Sequence, residues 1–200
     1  MTISMPVRPA FKASSFFLQT NSQTFESPLN KATQRLELQG QRWLATFTLP
    51  KMTKAQATEW IGFFMQLKGR VNTFYASDPD WQRNLGAWTG TPLVKGASQT
   101  GNTLLIDGCT ASVTNWARAG DYFSVNGELK RCTAAKNSDG SGEVTLAFEP
   151  PLRASPADNA ALTFNPATCT MILTSDQVAE WNSNQNKIYD EKSFTAYEVF

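Results

Sequence analysis

The sequence predicts a mainly β fold carrying one capped α-helix, and three observations support that class. Residues 43–49 alternate apolar and polar side chains. Residues 53–68 hold one helical stripe between a capping box and a glycine. From residue 102 onward, short strand patterns alternate with turn signals. In the first of these, Trp43, Ala45, Phe47 and Leu49 face one way and Leu44, Thr46 and Thr48 the other, and Pro50 stops the run. In the second, Thr53 stands at the N-cap with Gln56 three residues on, a spacing that lets the glutamine reach back to the Thr53 amide. Ala57, Trp60, Ile61, Phe64 and Leu67 form the stripe expected to face inward, Lys68 sits in the last turn, and Gly69 supplies the left-handed C′ position. Phe63 and Met65 fall off that stripe and are candidates for contacting a neighbouring subunit. Extended structure is expected to resume over Val71–Tyr75.

Upstream, residues 1–39 contain Pro6, Pro9 and Pro28 and read as irregular extended chain with one or two strands. Gln34–Gln39 alternates Leu36 and Leu38 with polar residues, so a strand there is expected to turn at Gly40 and form a hairpin with the Trp43 strand. Beyond Pro79 the stretch from Trp81 to Gly101 is rich in Gly, Thr, Asn and Ser and reads as a linker or long loop. Five strand segments are then expected, TLLIDG, CTASVTNW, DYFSVNG, ELKRCTAA and EVTLAFEP, enough for a small barrel or sandwich. Asn126-Gly127 is the signal for a two-residue type I′ hairpin, because both positions need positive φ. Asp139-Gly140-Ser141-Gly142 marks the next reversal, and Pro150-Pro151 is expected to end the last strand. Near the C-terminus, Thr170–Leu173 reads as a strand and Asp176–Trp181 as a short turn or helix. Ser193–Phe200 reads as a strand with Phe194, Ala196, Glu198 and Phe200 on one face. The expected organisation is an all-β block, 81–165, inserted between 1–80 and 166–200, which together build one sheet crossed by the helix 53–68.

At 200 residues and 41% hydrophobic content the chain can bury a sizeable core, and its net charge of +1 leaves no basic footprint for nucleic acid or an anionic membrane. No apolar run approaches the roughly 20 residues that span a bilayer, and residues 1–19 lack the apolar core of a signal peptide; synthesis in a cytoplasm is expected, with no membrane insertion. The chain has no histidine, which excludes Ser-His-Asp and Cys-His nucleophiles and most catalytic zinc sites. Cys109, Cys132 and Cys169 are expected to be buried thiols, with a Cys109–Cys132 disulfide open if two strands bring them together. Carboxylate pairs such as Asp78 and Asp80 are candidates for hydrolysis, on a Pro-containing turn where solvated acids are ordinary. Asn137, Asp139 and Ser141 alternate oxygens as a calcium loop does, without the closing Glu. Arg118, Lys130, Arg131 and Arg153 could form a basic face, with no interleaved aromatic ladder. The expectation is no enzyme, no cofactor and no metal.

Of six tryptophans, Trp43 and Trp60 fall on faces that should be buried. Trp81, Trp88, Trp116 and Trp181 lie in turn-rich stretches, where such rings either cover a small core or anchor a partner. Trp88 and Trp116 are therefore further subunit-interface candidates, and with Trp81 they also support an alternative reading as a carbohydrate- or receptor-binding β-module.

Gly40-Gln41-Arg42-Trp43, the helix with Trp60, Phe64, Leu67 and Gly69, and the exit Phe74–Pro79 resemble small tail-structural proteins of long-tailed bacteriophages. Three further segments, Val94–Gly101, Arg118–Val125 and Phe148–Arg153, are similar to the β-domain of that group, in the same order. The likeness runs from about Ser27 to Phe164, and within the group it points to the distal tail protein family or a related minor tail protein. The resemblance implies a belt domain with a helix and an outward β-domain. It implies a ring subunit, commonly in six copies, that joins the tail tube protein to baseplate or tip hub proteins. DNA would pass through its lumen without specific binding, and the protein's place would be the virion tail.

Overall fold

A computed structural model describes residues 1–81 and 83–200. Its elements are β1 Thr2–Ser4, β2 Ala13–Gln19, β3 Ser22–Glu26, β4 Thr33–Glu37, β5 Arg42–Leu49, β6 Met52–Thr53, α1 Lys54–Leu67 and β7 Thr73–Ala76. There follow β8 Gly90–Val94, β9 Gly101–Cys109, β10 Tyr122–Val125, β11 Glu128–Cys132, β12 Val144–Leu152, β13 Cys169–Leu173, a 3-10 turn Gln177–Ala179, β14 Ile188–Tyr189 and β15 Lys192–Glu198. The fold is mainly β with one α-helix, the class read from the sequence. A six-stranded sheet runs β1-β7-β13-β15-β5-β2, parallel at the β1–β7 edge and antiparallel elsewhere. A five-stranded antiparallel sheet runs β10-β11-β12-β9-β8.

Alternation explains the first sheet. Along β5 every second residue is buried, Trp43, Ala45, Phe47 and Leu49, and β15 answers with Phe194, Ala196 and Glu198. Helix α1 lies across this buried face. Gln56 Oε1 accepts the Thr53 amide at 3.2 Å, so one otherwise orphaned N–H of the first turn is satisfied. At the other end the left-handed turn begins one residue earlier than expected, at Lys68 (φ 50), and continues through Gly69 (φ 65). Gly69 is required there, since a Cβ would sit 2.4 Å from Asp176 Oδ1. The helix buries Ala57, Trp60, Phe63, Phe64 and Leu67, while Ile61 is only partly covered. A 14-residue helix presents a stripe wide enough to include Phe63, which packs edge-on against Phe74 (5.6 Å) and Trp60 (5.7 Å).

The second core lies under the five-stranded sheet and gathers Trp88, Trp116, Phe123, Leu104, Ile106 and Phe148. Asn126 (φ 52) and Gly127 (φ 77) make the β10–β11 turn, with Val125 opposite Glu128. Two residues of this sheet, Tyr122 and Leu129, belong to the first core instead, and Leu129 O accepts Trp43 Nε1 at 2.9 Å. That contact joins the two sheets.

Several sequence expectations are corrected. Residues 1–39 hold four strands. The Gln34–Gln39 segment does not turn at Gly40 into β5: β4 pairs with β3, and β5 pairs with β2, Leu18 opposite Trp43 and Phe16 opposite Ala45. Gly40 lies at positive φ (106) in the short link between β4 and β5, a conformation glycine adopts without strain. Packing of Phe16 on Trp43 (5.4 Å) is what favours β2 as the partner. The stretch read as linker contains the edge strand β8, CTASVTNW is mostly turns, and Val71 is exposed ahead of a strand that starts at Thr73. Strand β12 runs through Pro150 and Pro151 to Leu152, because its register against β9 breaks between Ala147 and Leu152, where a missing N–H is tolerated. Phe200 lies beyond β15 and is exposed.

Candidate functional site

The chain places its sequence-derived candidates as follows. Phe63, Trp88 and Trp116 are core residues, covered by their own chain; Met65 is 66% exposed on the solvent side of α1. Burial of Phe63, Trp88 and Trp116 removes them as free-surface contacts; the pattern could not reveal it because a ring in a turn-rich stretch, as at Trp88 and Trp116, either caps a core or stands free, and the width of the buried helix face that takes in Phe63 is set by the sheet it meets. Trp88 and Trp116 lie against each other (4.7 Å), out of reach of a sugar. Trp81 is half-buried, edge-on to Tyr122 and beneath the Arg131 guanidinium.

The other chemistry candidates are engaged internally. Asp78 accepts from the Tyr122 hydroxyl (3.1 Å) and the Asp80 amide (3.1 Å). Asp139 Oδ1 accepts the Ser141 and Glu143 amides of its own loop, both at 2.8 Å, and Asn137 accepts the Asn115 amide of a neighbouring turn, so these oxygens are spent on backbone N–H groups. Lys130 is fully buried and Arg153 is ion-paired, which dissolves the basic face. The three cysteines are free and buried, and burial pushes the Cys109 and Cys132 thiols up to about 12. Among the described residues no group of His, Cys, Asp and Glu could hold a metal ion, and no helix is long and apolar enough to cross a membrane.

Two features stand out instead. The first is the hairpin β3–β4, whose ten strand residues are all exposed. Neither sheet pairs with it; it continues the β2–β5 ladder past Gly40 as an arm of five residue pairs, roughly 17 Å long at the usual rise. Register gives the arm two unlike faces. Gln23, Phe25, Gln34 and Leu36 share one, and Ser22, Thr24, Glu26, Thr33, Arg35 and Glu37 share the other. A lone two-stranded ribbon with exposed Phe25 and Leu36 is marginal in water, and its apolar face lacks a partner within the described chain.

The second is a cleft of about 670 Å³ at the arm's base, between the two sheets, walled by Leu38, Pro151, Leu152 and Phe200 and by the polar Gln41, Asn102 and Arg153. Behind it lies a buried polar network. Lys130 Nζ donates to Glu128 (2.6 Å) and to Pro151 O (2.7 Å), while Arg153 Nη2 donates to Glu198 (2.9 Å) and to Gln41 O (2.7 Å). Burial pulls the Lys130 ammonium below its ordinary range, against the opposing pull of Glu128. Four buried atoms of this region, Gln41 Oε1, Glu149 Oε2, Arg153 Nη1 and Glu198 Oε1, find no hydrogen-bond partner among the described residues. The sequence carried one signal of this network, a glutamate on the otherwise apolar face of the last strand.

Glu149 is held above its ordinary value of 4.5, first by burial and then by Glu37, with Asn102 and Lys130 opposing. A carboxyl whose folded pKa is raised adds stability below its ordinary value and loses it as pH rises through the raised one. The melting temperature of the wild type is therefore expected to fall relative to Glu149→Gln between pH 4 and pH 7. Calorimetry across that range checks this; parallel curves would show that Glu149 does not set the slope.

No protein-family model matches this chain, and no curated protein matches it at a significant level.

Proposed function

We propose that this chain is a structural subunit of a bacteriophage tail, assembling into a ring, commonly of six copies, that joins the tail tube to the baseplate or tip. The observation that carries the reading is the β3–β4 arm, an exposed amphipathic ribbon that needs a neighbour to cover it. Ring closure covers such an element without an added charged guard, each copy lending its arm and receiving another. The ordered resemblance to tail proteins between Ser27 and Phe164 supports placing that ring in a phage tail.

The outward face of the six-stranded sheet fits a lumen wall. On β5 and β15 it presents Leu44, Thr46, Thr48, Ser193, Thr195 and Tyr197, with Arg42 as the single charge. Hydroxyls pair across it, Thr46 with Thr195 (3.3 Å) and Thr48 with Ser193 (2.9 Å). A hydroxyl-rich surface with one cation per chain releases few counterions on meeting DNA and does not repel its phosphates, so DNA passes without being held tightly. The role is architectural, with no catalytic step.

Native mass spectrometry of the full chain tests the reading. A mass at a whole multiple of the chain, and recovery of the protein from purified tails, is expected. A strictly monomeric species at high concentration that is never found in virions would refute it.

A further inference from the structure

We infer that the tip of the β3–β4 arm of one copy seats in the cleft at the arm's base in a second copy, with Lys31 meeting Glu37 and Glu149. This rests on the ring reading and specifies its joint.

The cleft is built to receive a polar group. Gln41 lines it and is only 7% exposed, its Nε2 donating to Glu37 and its buried Oε1 unpartnered, and behind it Glu198, with a side chain 1% exposed, has an unpartnered Oε1 as well. Glu149 Oε2 and Arg153 Nη1 complete the set, three acceptors to one donor. Leaving such buried groups unpaired is costly, so the matching occupant brings N–H groups and positive charge, with an apolar side chain for Leu38, Leu152 and Phe200.

The arm's tip carries that chemistry. Leu29 is 95% exposed, the Lys31 side chain is 77% exposed, and the turn that presents them is fixed by Ser27 N–H to Ala32 O (2.9 Å), Lys31 N–H to Ser27 O (3.0 Å) and Ala32 N–H to Asn30 Oδ1 (3.1 Å). The present partner of Lys31 is Glu26 at 3.0 Å, a solvent-exposed pair of the kind that contributes little and exchanges readily. Within one chain the tip is held away from the cleft by the arm itself, five residue pairs or roughly 17 Å from Glu37. The occupant is therefore a second copy. Donor and acceptor surfaces differ, so the contact is head-to-tail, and each copy offers both at opposite ends of one hairpin, as a closing ring requires.

Disulfide trapping in the full-length protein tests this. Lys31→Cys combined with Asn102→Cys is expected to give a ladder of linked dimers and larger species under mild oxidant, while either single variant gives none, the three native thiols being buried. In parallel, Lys31→Glu and Glu149→Lys are each expected to weaken assembly on the order of tenfold or more, and the double swap to restore it. Circular dichroism confirms that each variant folds. Wild-type-like assembly of both single swaps together with no ladder overturns the arm-in-cleft joint and leaves the ring reading standing. A wild type that stays monomeric removes the ring reading; absence of the ladder at high concentration in that case overturns the joint as well.

Discussion

Replacing Trp60 by alanine lowers the unfolding free energy by about 3–5 kcal/mol, the range for emptying a large aromatic site. The indole is fully buried between α1 and the six-stranded sheet, with Phe11 (5.7 Å), Phe63 (5.7 Å), Phe64 (5.9 Å) and Phe194 (6.0 Å) around it. It ties elements far apart in sequence, and its Nε1 donates to Arg8 O at 3.1 Å, holding the chain between β1 and β2 onto the helix. Truncation removes the packing and orphans that carbonyl. Trp60→Phe restores most of the packing and leaves the missing hydrogen bond, worth about 1 kcal/mol. Urea unfolding followed by circular dichroism measures both; at a slope of about 2 kcal/mol/M the alanine variant's midpoint falls by about 1.5–2.5 M. A loss below about 1 kcal/mol for the alanine variant would contradict this account of the core.

Asp121→Ala is expected to be as damaging, through unpaired polar groups rather than lost volume. Asp121 is fully buried, and its carboxylate accepts four hydrogen bonds: Leu85 N–H (2.7 Å), Gly86 N–H (3.0 Å), Trp88 Nε1–H (2.7 Å) and Arg118 N–H (2.8 Å). The distant segment 85–88 and the local turn at Arg118 are thus both pinned to the start of β10. Gly86 takes part because a Cβ would meet Trp116 O at 2.6 Å. Alanine leaves four neutral donors facing no acceptor, each costing about 1–3 kcal/mol where it stays buried. Asp121→Asn keeps the shape but turns an NH₂ toward a donor, and about 1–3 kcal/mol is lost. Amide exchange at Leu85, Gly86 and Arg118 should accelerate ahead of the rest of the sheet. Unchanged protection at those three amides would show that the carboxylate is not the pin.

Local pattern was legible wherever one face of an element was buried and the other wet. The Trp43–Leu49 alternation, the Thr53–Gln56 cap, the Asn126-Gly127 turn and the strands near residues 103, 123, 129, 145, 171 and 195 follow from period and turn chemistry alone. Pairing was not legible. Leu36 and Leu38 alternate as a partner of β5 should, but β2 offers Phe16 and Leu18 to the same edge, and only the position of Trp43 and Tyr122 beneath that edge decides between them. Phe63 shows the same limit: helical spacing marks a stripe, while its width is set by the sheet that meets it.

By itself the sequence determined the class of this protein, mainly β with one capped helix, and the absence of any histidine-dependent chemistry. Period, capping residues and composition are properties of neighbouring residues, and they survive without knowledge of the fold. Tertiary structure alone decided that β3 and β4 leave the sheet as an arm, that Trp88 and Trp116 are core, and that Gln41 and Arg153 line one cleft with Glu198 bonded to Arg153 behind it. Those residues lie up to 157 positions apart (198 − 41), and only strand pairing across the two sheets brings their polar atoms within reach of one another.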